Sequence, residues 1–287
     1  MNPQFPTNHY EEALNAHYGR AKLDETLLAA LQNAGKDINA LTIEDIQSFD
    51  QNHIGGNAST RTLAQLAGIQ EGNHVLDIGC GLGGAARTLA AEFGCTVVGL
   101  EITEAFCRAA EMLTLRVGMS SQVSIRQGNA LALPFDDETF DVAWMQHLAM
   151  NIPDKYTLFR EASRVLKPGG TLALHTILAG EVAPIHYPVV WSADPELNFI
   201  EPAKGFRQAI EANGFEVVEW QDVTEPAITV YRGLKDWLTA NDPSQLIFSL
   251  FVDDIVEKVT NSMSNLEEGR LAVAQAVYRK GGLPMRN

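Results

Sequence analysis

Cysteine is scarce: the 287 residues hold three, Cys80, Cys95 and Cys107, an odd number with no C-x-x-C spacing. That argues against a disulfide framework and against a cysteine-bound zinc. The seven histidines are not clustered at i,i+3 or i,i+4 either, so no metal site is expected. Basic residues are few as well, 21 Lys plus Arg against 36 Asp plus Glu, for a net charge of -15. Binding to phosphate backbones draws on clustered Lys and Arg, so no nucleic-acid partner is expected. Also missing is any apolar run long enough to span a bilayer, and Met1-Asn2-Pro3-Gln4-Phe5-Pro6 lacks the basic start and apolar core of a signal peptide. The expectation is a cytoplasmic protein with no membrane partner.

What is present is an ordinary globular composition, 46% hydrophobic and 20% charged, in a chain that suits one α/β domain with a cap as well as two domains. Its organising stretch is His74-Val75-Leu76-Asp77-Ile78-Gly79-Cys80-Gly81-Leu82-Gly83-Gly84. An apolar run carrying an acid and ending in four glycines reads as a buried strand breaking into a ligand-holding loop, and Gly83 to Ala90 then has helical spacing. Gly79, Gly81 and Gly84 satisfy G-x-G-x-x-G, with Glu101 about twenty residues on, where an acid can bind ribose hydroxyls. An NAD-linked oxidoreductase shares that pattern. Asp77 separates the two, because a carboxylate in the loop mouth repels a pyrophosphate and suits a cationic sulfonium with its amino group. The cofactor expected is therefore S-adenosylmethionine. Cys80, inside the loop, reads as a small side chain packed beneath the ligand and not as a nucleophile.

Around this loop the chain alternates strand and helix: strands at 74–80, 95–101, 122–128, 139–146, 171–178 and 215–223, helices at 83–93, 103–117, 154–166 and 202–213. This predicts a Rossmann-like, mostly parallel sheet with helices on both faces, Thr103 capping the second helix and Lys167-Pro168-Gly169-Gly170 turning before the next strand. Arg270–Tyr278 supplies a last strand, antiparallel beside 215–223. The domain reading is an N-terminal helical lid segment (1–58), the cofactor-binding core (59–180), an aromatic lid loop (181–201), core continued (202–224), a helical cap insertion (225–268), and the last core strand with a tail (269–287). In the lid segment Leu14, Tyr18, Leu23, Leu27, Leu28 and Leu31 have helical spacing, and Thr42 with Asp45 resembles a capping box for a short helix near Ile43–Phe49. The apolar run Leu246–Val252 reads as cap core.

Over roughly residues 45 to 280 the sequence resembles the small-molecule class I S-adenosylmethionine-dependent methyltransferases. The glycine loop resembles their motif I. Gly128–Phe135 resembles the segment whose acid, Asn129 here, holds the adenine amino group; Phe140–His147 resembles motif IV, and Arg164–Gly170 the turn before strand five. Asp50–Gly56 together with Gln146–Ile152 is similar to the subgroup of sarcosine and dimethylglycine N-methyltransferases, and more loosely to tocopherol-type and sugar or polyketide O-methyltransferases. The resemblance implies methyl transfer to a nitrogen or oxygen of a small-molecule acceptor. It places Gly79 and Gly81 at the methionine end, Glu101 at the ribose, Ile102 on a face of adenine, Asn129 and Ala130 at the adenine edge, and Gln146 under the methionine portion. Tyr18 is a further cofactor-side candidate, from the lid.

A base is needed only for an acceptor that enters protonated. His147, at the end of the fourth strand, is the first candidate and His53 the second, whereas His175 in its apolar strand reads as a packed histidine. Trp144, Tyr187, Trp191 and Phe199 could enclose a methylated ammonium or form plain apolar walls. Asp50, Glu181 and Asp194 could add negative charge, though acids on so acidic a surface are usually only solvated. A non-catalytic S-adenosylmethionine-binding protein stays open beside the enzyme reading, since no catalytic side chain is strictly required.

Overall fold

The computed structural model describes residues 21–242, 245, 247–250 and 252–281. Leu14 and Tyr18 lie outside the described residues. Seven strands form one sheet: β1 (His74–Ile78), β2 (Thr96–Glu101), β3 (Val123–Gln127), β4 (Phe140–Gln146), β5 (Leu166–Ala179), β6 (Phe215–Asp222) and β7 (Leu271–Lys280), in the order β3-β2-β1-β4-β5-β7-β6. β1 to β5 are parallel, and β7 inserts antiparallel between β5 and β6. This is the Rossmann-like arrangement expected, with the last strand antiparallel beside β6.

Alternation along each strand divides the core between two faces. On one face Leu76 and Ile78 of β1 and Ala143 and Met145 of β4 meet Phe159 of helix α6 (Lys155–Val165) and Phe206 of α7 (Ala203–Glu211). On the other, Val75 of β1 and Val142 and Trp144 of β4 pack on Leu63 of α3 (Gly56–Leu66) and Leu89 of α4 (Gly84–Phe93). Asp77 and Gln146 follow the same parity as Val75 and Trp144, and Asp77 lies opposite Trp144 in the β1–β4 register. Two polar side chains are thus brought to the α3–α4 side at the C-terminal ends of neighbouring strands.

A third cluster forms the cap. Leu23, Leu27 and Leu31, one stripe of α1 (Leu23–Asn33), join Phe106 and Leu113 of α5 (Glu104–Arg116), Tyr231 of α8 (Thr224–Ala240) and Val259 of α9 (Ile255–Glu267). Ile247, Phe248 and Leu250 pack against this cluster and Val252 is buried in it, while Leu246 and Phe251 lie outside the described residues. Thr42 and Asp45 do form the capping box, reciprocally bonded, on the short helix α2 (Ile43–Ile46).

Two local expectations are corrected. Thr103 occupies the N-cap of α5 without capping it by its side chain; its N–H instead donates to Glu101 Oε1 at 2.8 Å. The Lys167–Gly170 turn does not precede β5 but lies within it, because pairing already begins at Leu166 opposite Phe140 and the register shifts before Val142 meets Thr171. Gly170 makes this possible, since a Cβ there would stand 2.9 Å from Lys167 O and 3.1 Å from Asp141 O.

Candidate active site

β1 ends in a loop that only glycines can follow. Gly79, Gly81 and Gly83 have φ of 79°, 54° and 78°. The Gly79 and Cys80 amides donate to Leu100 O at 2.7 and 3.0 Å, which anchors the loop on β2 and opens it toward a cavity of about 540 Å³. Of the residues the sequence singled out, Asp77, Gly79, Gly81, Glu101, Ile102, Asn129, Ala130, Gln146, His53, His147 and Trp191 all border this one cavity.

The acids at the strand ends are held differently. Glu101 accepts from the Gly81 N–H through Oε2 (3.1 Å) and from the Thr103 N–H through Oε1 (2.8 Å), and burial pushes its pKa up. Asp77 is 2% exposed and its Oδ2 has no partner. Burial first, then the negative charge of Glu101, raises its carboxyl to about 7, against the pull of the Ala86 amide and Arg87. Asn129 Oδ1 accepts from the Leu131 N–H at 2.8 Å, which fixes the amide at the cavity edge.

Asp50 departs from the expectation of a solvated acid. It is 2% exposed and accepts from Arg87 Nη2 at 2.8 Å. Arg87, fully buried in α4, also donates to Leu82 O (2.7 Å) and Thr114 Oγ1 (2.9 Å). Gly84 admits this closure, because a Cβ on it would lie 2.4 Å from Asp50 O. The sequence signal was an arginine in the otherwise small and apolar helix start after the glycine loop. Glu181 and Asp194 are the exposed acids expected, and neither borders the cavity.

Three imidazoles meet where the strands end. Ring centroids lie 4.6 Å apart for His147 and His175, 5.9 Å for His53 and His175, and 6.1 Å for His53 and His147. Desolvation holds His53 near 4 and His175 near 3, and it holds His147 well below its ordinary value, so all three are neutral at pH 7. They differ in partners. His53 has Ser59 Oγ 3.2 Å from Nδ1 and Thr60 Oγ1 3.2 Å from Nε2, whereas His147 Nε2 is closed off from solvent with no partner. His147 has φ of 50°, a conformation rare outside glycine, and its N–H donates to His175 O at 2.8 Å. His175 is therefore packed, as expected, but against another imidazole and not in a purely apolar setting.

Gln146 is oriented from below. Its Oε1 lies 2.9 Å from Trp144 Nε1 and 3.0 Å from Thr60 Oγ1. Trp144 is corrected by this geometry: fully buried in the α3–α4 core, it does not border the cavity and serves to hold Gln146. Tyr187 and Phe199 do not border the cavity either. Tyr187 accepts from Asn198 Nδ2 at 2.7 Å, and Trp191, which is in the wall, donates to Asn198 Oδ1 at 3.0 Å. Thr60 was missed, as was Gln51, whose Oε1 lies 2.7 Å from Thr60 Oγ1. Nothing local in the sequence marks two such residues as neighbours of a glutamine in β4.

Among the described residues no group of histidines, cysteines and acids could hold a metal, and no helix is long and apolar enough to cross a membrane. The seven-stranded sheet with its antiparallel last strand, the glycine loop and the acid ending β2 make up the fold of the class I S-adenosylmethionine-dependent methyltransferases. Residues 76–174 match the sequence family described as a methyltransferase domain. The chain is 31% identical over 218 residues to the sterol 24-C-methyltransferase of Kluyveromyces lactis, covering 72% of this chain and 58% of that one. It is 29% identical to the glycine/sarcosine/dimethylglycine N-methyltransferase of Actinopolyspora halophila, over 58% of this chain and 30% of the other. The chain thus spans under two thirds of the length of both relatives. The structure of geranyl diphosphate C-methyltransferase from Streptomyces coelicolor A3(2) superposes with a TM-score of 0.69 at 19% identity, over 98% of this chain and all of that one.

Two outcomes test the electrostatics. Asp50→Asn removes the counter-charge of a buried guanidinium and is expected to cost about 3–5 kcal/mol in urea unfolding, with Asp50→Leu/Arg87→Met together recovering most of it. For His53 the folded value lies below the unfolded one, so its contribution is complete above about pH 6.5 and drains as pH falls toward 4. Asp77, raised in the fold, changes in the opposite sense, so the effect is read as a difference: between pH 6.5 and 4 the wild type should lose on the order of 2–3 kcal/mol relative to His53→Gln.

Proposed function

We propose that this chain transfers the methyl group of S-adenosylmethionine to a nitrogen or oxygen of a small-molecule acceptor held beneath the cap. The observation that carries this reading is Asp77 Oδ2, a buried carboxylate oxygen without a partner at the mouth of a glycine loop, which suits a cationic ligand group and no anionic one. When bound, S-adenosylmethionine supplies a methyl on a sulfonium: the acceptor–carbon bond forms as the carbon–sulfur bond breaks, its electron pair stays on sulfur, and S-adenosylhomocysteine leaves.

The chain's own residues would bind, orient and exclude water. Asp77 and Gln146 would serve the amino-acid end, Glu101 the ribose hydroxyls, and Ile102, Asn129 and Ala130 the adenine. The glycine loop lets the backbone approach closely. His147 Nε2, unpartnered and on a neutral ring, would receive the proton that an acceptor hydroxyl or ammonium gives up; His53, engaged by Ser59 and Thr60, would keep the polar floor in place. Of the three similar proteins two are named as C-methyltransferases, of a sterol and of geranyl diphosphate, and one as an N-methyltransferase of amino acids, which supports methyl transfer as the reaction and does not fix the accepting atom.

Calorimetric titration with S-adenosylmethionine, S-adenosylhomocysteine and NAD tests the reading, and binding of NAD alone would sink it. Glu101→Ala is expected to weaken S-adenosylhomocysteine binding about 10–100-fold through the lost charge-assisted hydrogen bonds. His147→Gln should lower kcat about 10²–10⁴-fold while leaving S-adenosylhomocysteine affinity unchanged, measured as product release and as calorimetric Kd.

A further inference from the structure

The cavity has two chemically different halves. One lies at the ends of β1, β2 and β3 and carries Asp77, Glu101 and Asn129. The other is walled by Trp191 from the loop after β5, Val230, Tyr231 and Leu234 of α8, Phe248, and Val259 of α9. Among the described residues this cap wall contributes no Lys, Arg, Asp or Glu. Asp50, the remaining acid at the cavity, is paired with Arg87. Two further lining residues carry a buried polar atom without a partner, His147 at Nε2 and Asn52 at Oδ1.

We infer that the cap half takes an uncharged, mainly hydrocarbon acceptor presenting a hydroxyl to His147 and Asn52, and that it rejects zwitterionic amino acids and phosphorylated molecules. This rests on reading the other half as the S-adenosylmethionine site. A carboxylate entering the cap half would lose its hydration and gain no cation, and a phosphate would find no guanidinium or ammonium. A hydrocarbon skeleton loses nothing there and removes both its own surface and the cap's from water. The hydroxyl follows from the two orphaned atoms. Asn52 Oδ1 can only accept, His147 Nε2 accepts or donates according to tautomer, and a hydroxyl does both. Among the acceptors to which the sequence resemblance pointed, the tocopherol-type and polyketide ones fit this wall, and sugars and sarcosine do not.

The test titrates 1-naphthol, naphthalene, sarcosine and phosphoethanolamine into the protein saturated with S-adenosylhomocysteine. The expected result is binding of 1-naphthol, weaker binding of naphthalene by about tenfold, and none of the two charged molecules. Leu234→Asp should weaken 1-naphthol about tenfold or more with S-adenosylhomocysteine affinity unchanged. Val230→Asp, at a rim position already 41% exposed and therefore tolerant of charge, should act in the same direction. Sarcosine or phosphoethanolamine binding as tightly as 1-naphthol would overturn the inference, as would 1-naphthol failing to bind or ignoring both substitutions. If S-adenosylhomocysteine itself fails to bind the wild type, the cofactor reading falls first and the acceptor inference with it.

Discussion

The closed shape of the site depends on one buried guanidinium. Arg87 extends from the helix that follows the glycine loop and is held by Asp50, by the carbonyl of Leu82 within that loop, and by Thr114 of α5. An unpaired cation in such a place would be prohibitively costly, so the segment around Asp50 has to lie across the glycine loop. That segment carries Gln51, Asn52 and His53 into the cavity wall. The absence of a Cβ at Gly84 belongs to the same constraint, since the Asp50 backbone sits where that carbon would be. One ion pair therefore converts a loop preceding the first strand into the roof of the cavity.

Under that roof, burial governs protonation in two opposite senses. It keeps the three imidazoles neutral and pushes the Asp77 carboxyl up to about 7, where a cationic ligand can tip it to the ionised form. Among the described residues the cap wall holds no charged side chain, and the acids at the cavity are Asp77 and Glu101 at the strand ends and the paired Asp50. In the proposed reaction a sulfonium donor would bring its driving force with it, so the protein's tasks would reduce to alignment, exclusion of water and, for a protonated acceptor, acceptance of one proton. Of these imidazoles His147 has an Nε2 without a partner, whereas His53 has hydroxyls beside both ring nitrogens.

The sheet and the grouping of residues at its strand ends around one cavity were legible in the sequence because each rests on local steric or periodic signals. Alternating apolar runs specify strands, positive-φ positions demand glycine, and an acid at the end of each of two adjacent strands in order β1–β2 must fall beside the loop. The cap wall was read less well. Trp144, Tyr187 and Phe199 are large aromatics near the site in sequence, yet Trp144 lies two residues deeper along β4 than Gln146, inside the α3–α4 core, and the course of residues 181–201 takes Tyr187 and Phe199 away from the cavity. Asp50 looked like any other acid on a chain of net charge -15, because nothing within a few residues of it announces Arg87.

By itself, then, the sequence determined which backbone conformations were available: seven strands, the glycine loop, the capping box of Thr42 and Asp45, and the chemical types at the strand ends. Tertiary structure decided everything that depends on separations of tens of residues. It paired Asp50 with Arg87, brought His53, His147 and His175 together, set Thr60 beside Gln146, and gave the cap wall of the cavity, among the described residues, no charged side chain. The physical reason is that dihedral preference and hydrophobic period act over one turn or one strand, whereas burial, and with it the state and partner of every titratable group in the site, exists only once the layers have closed on one another.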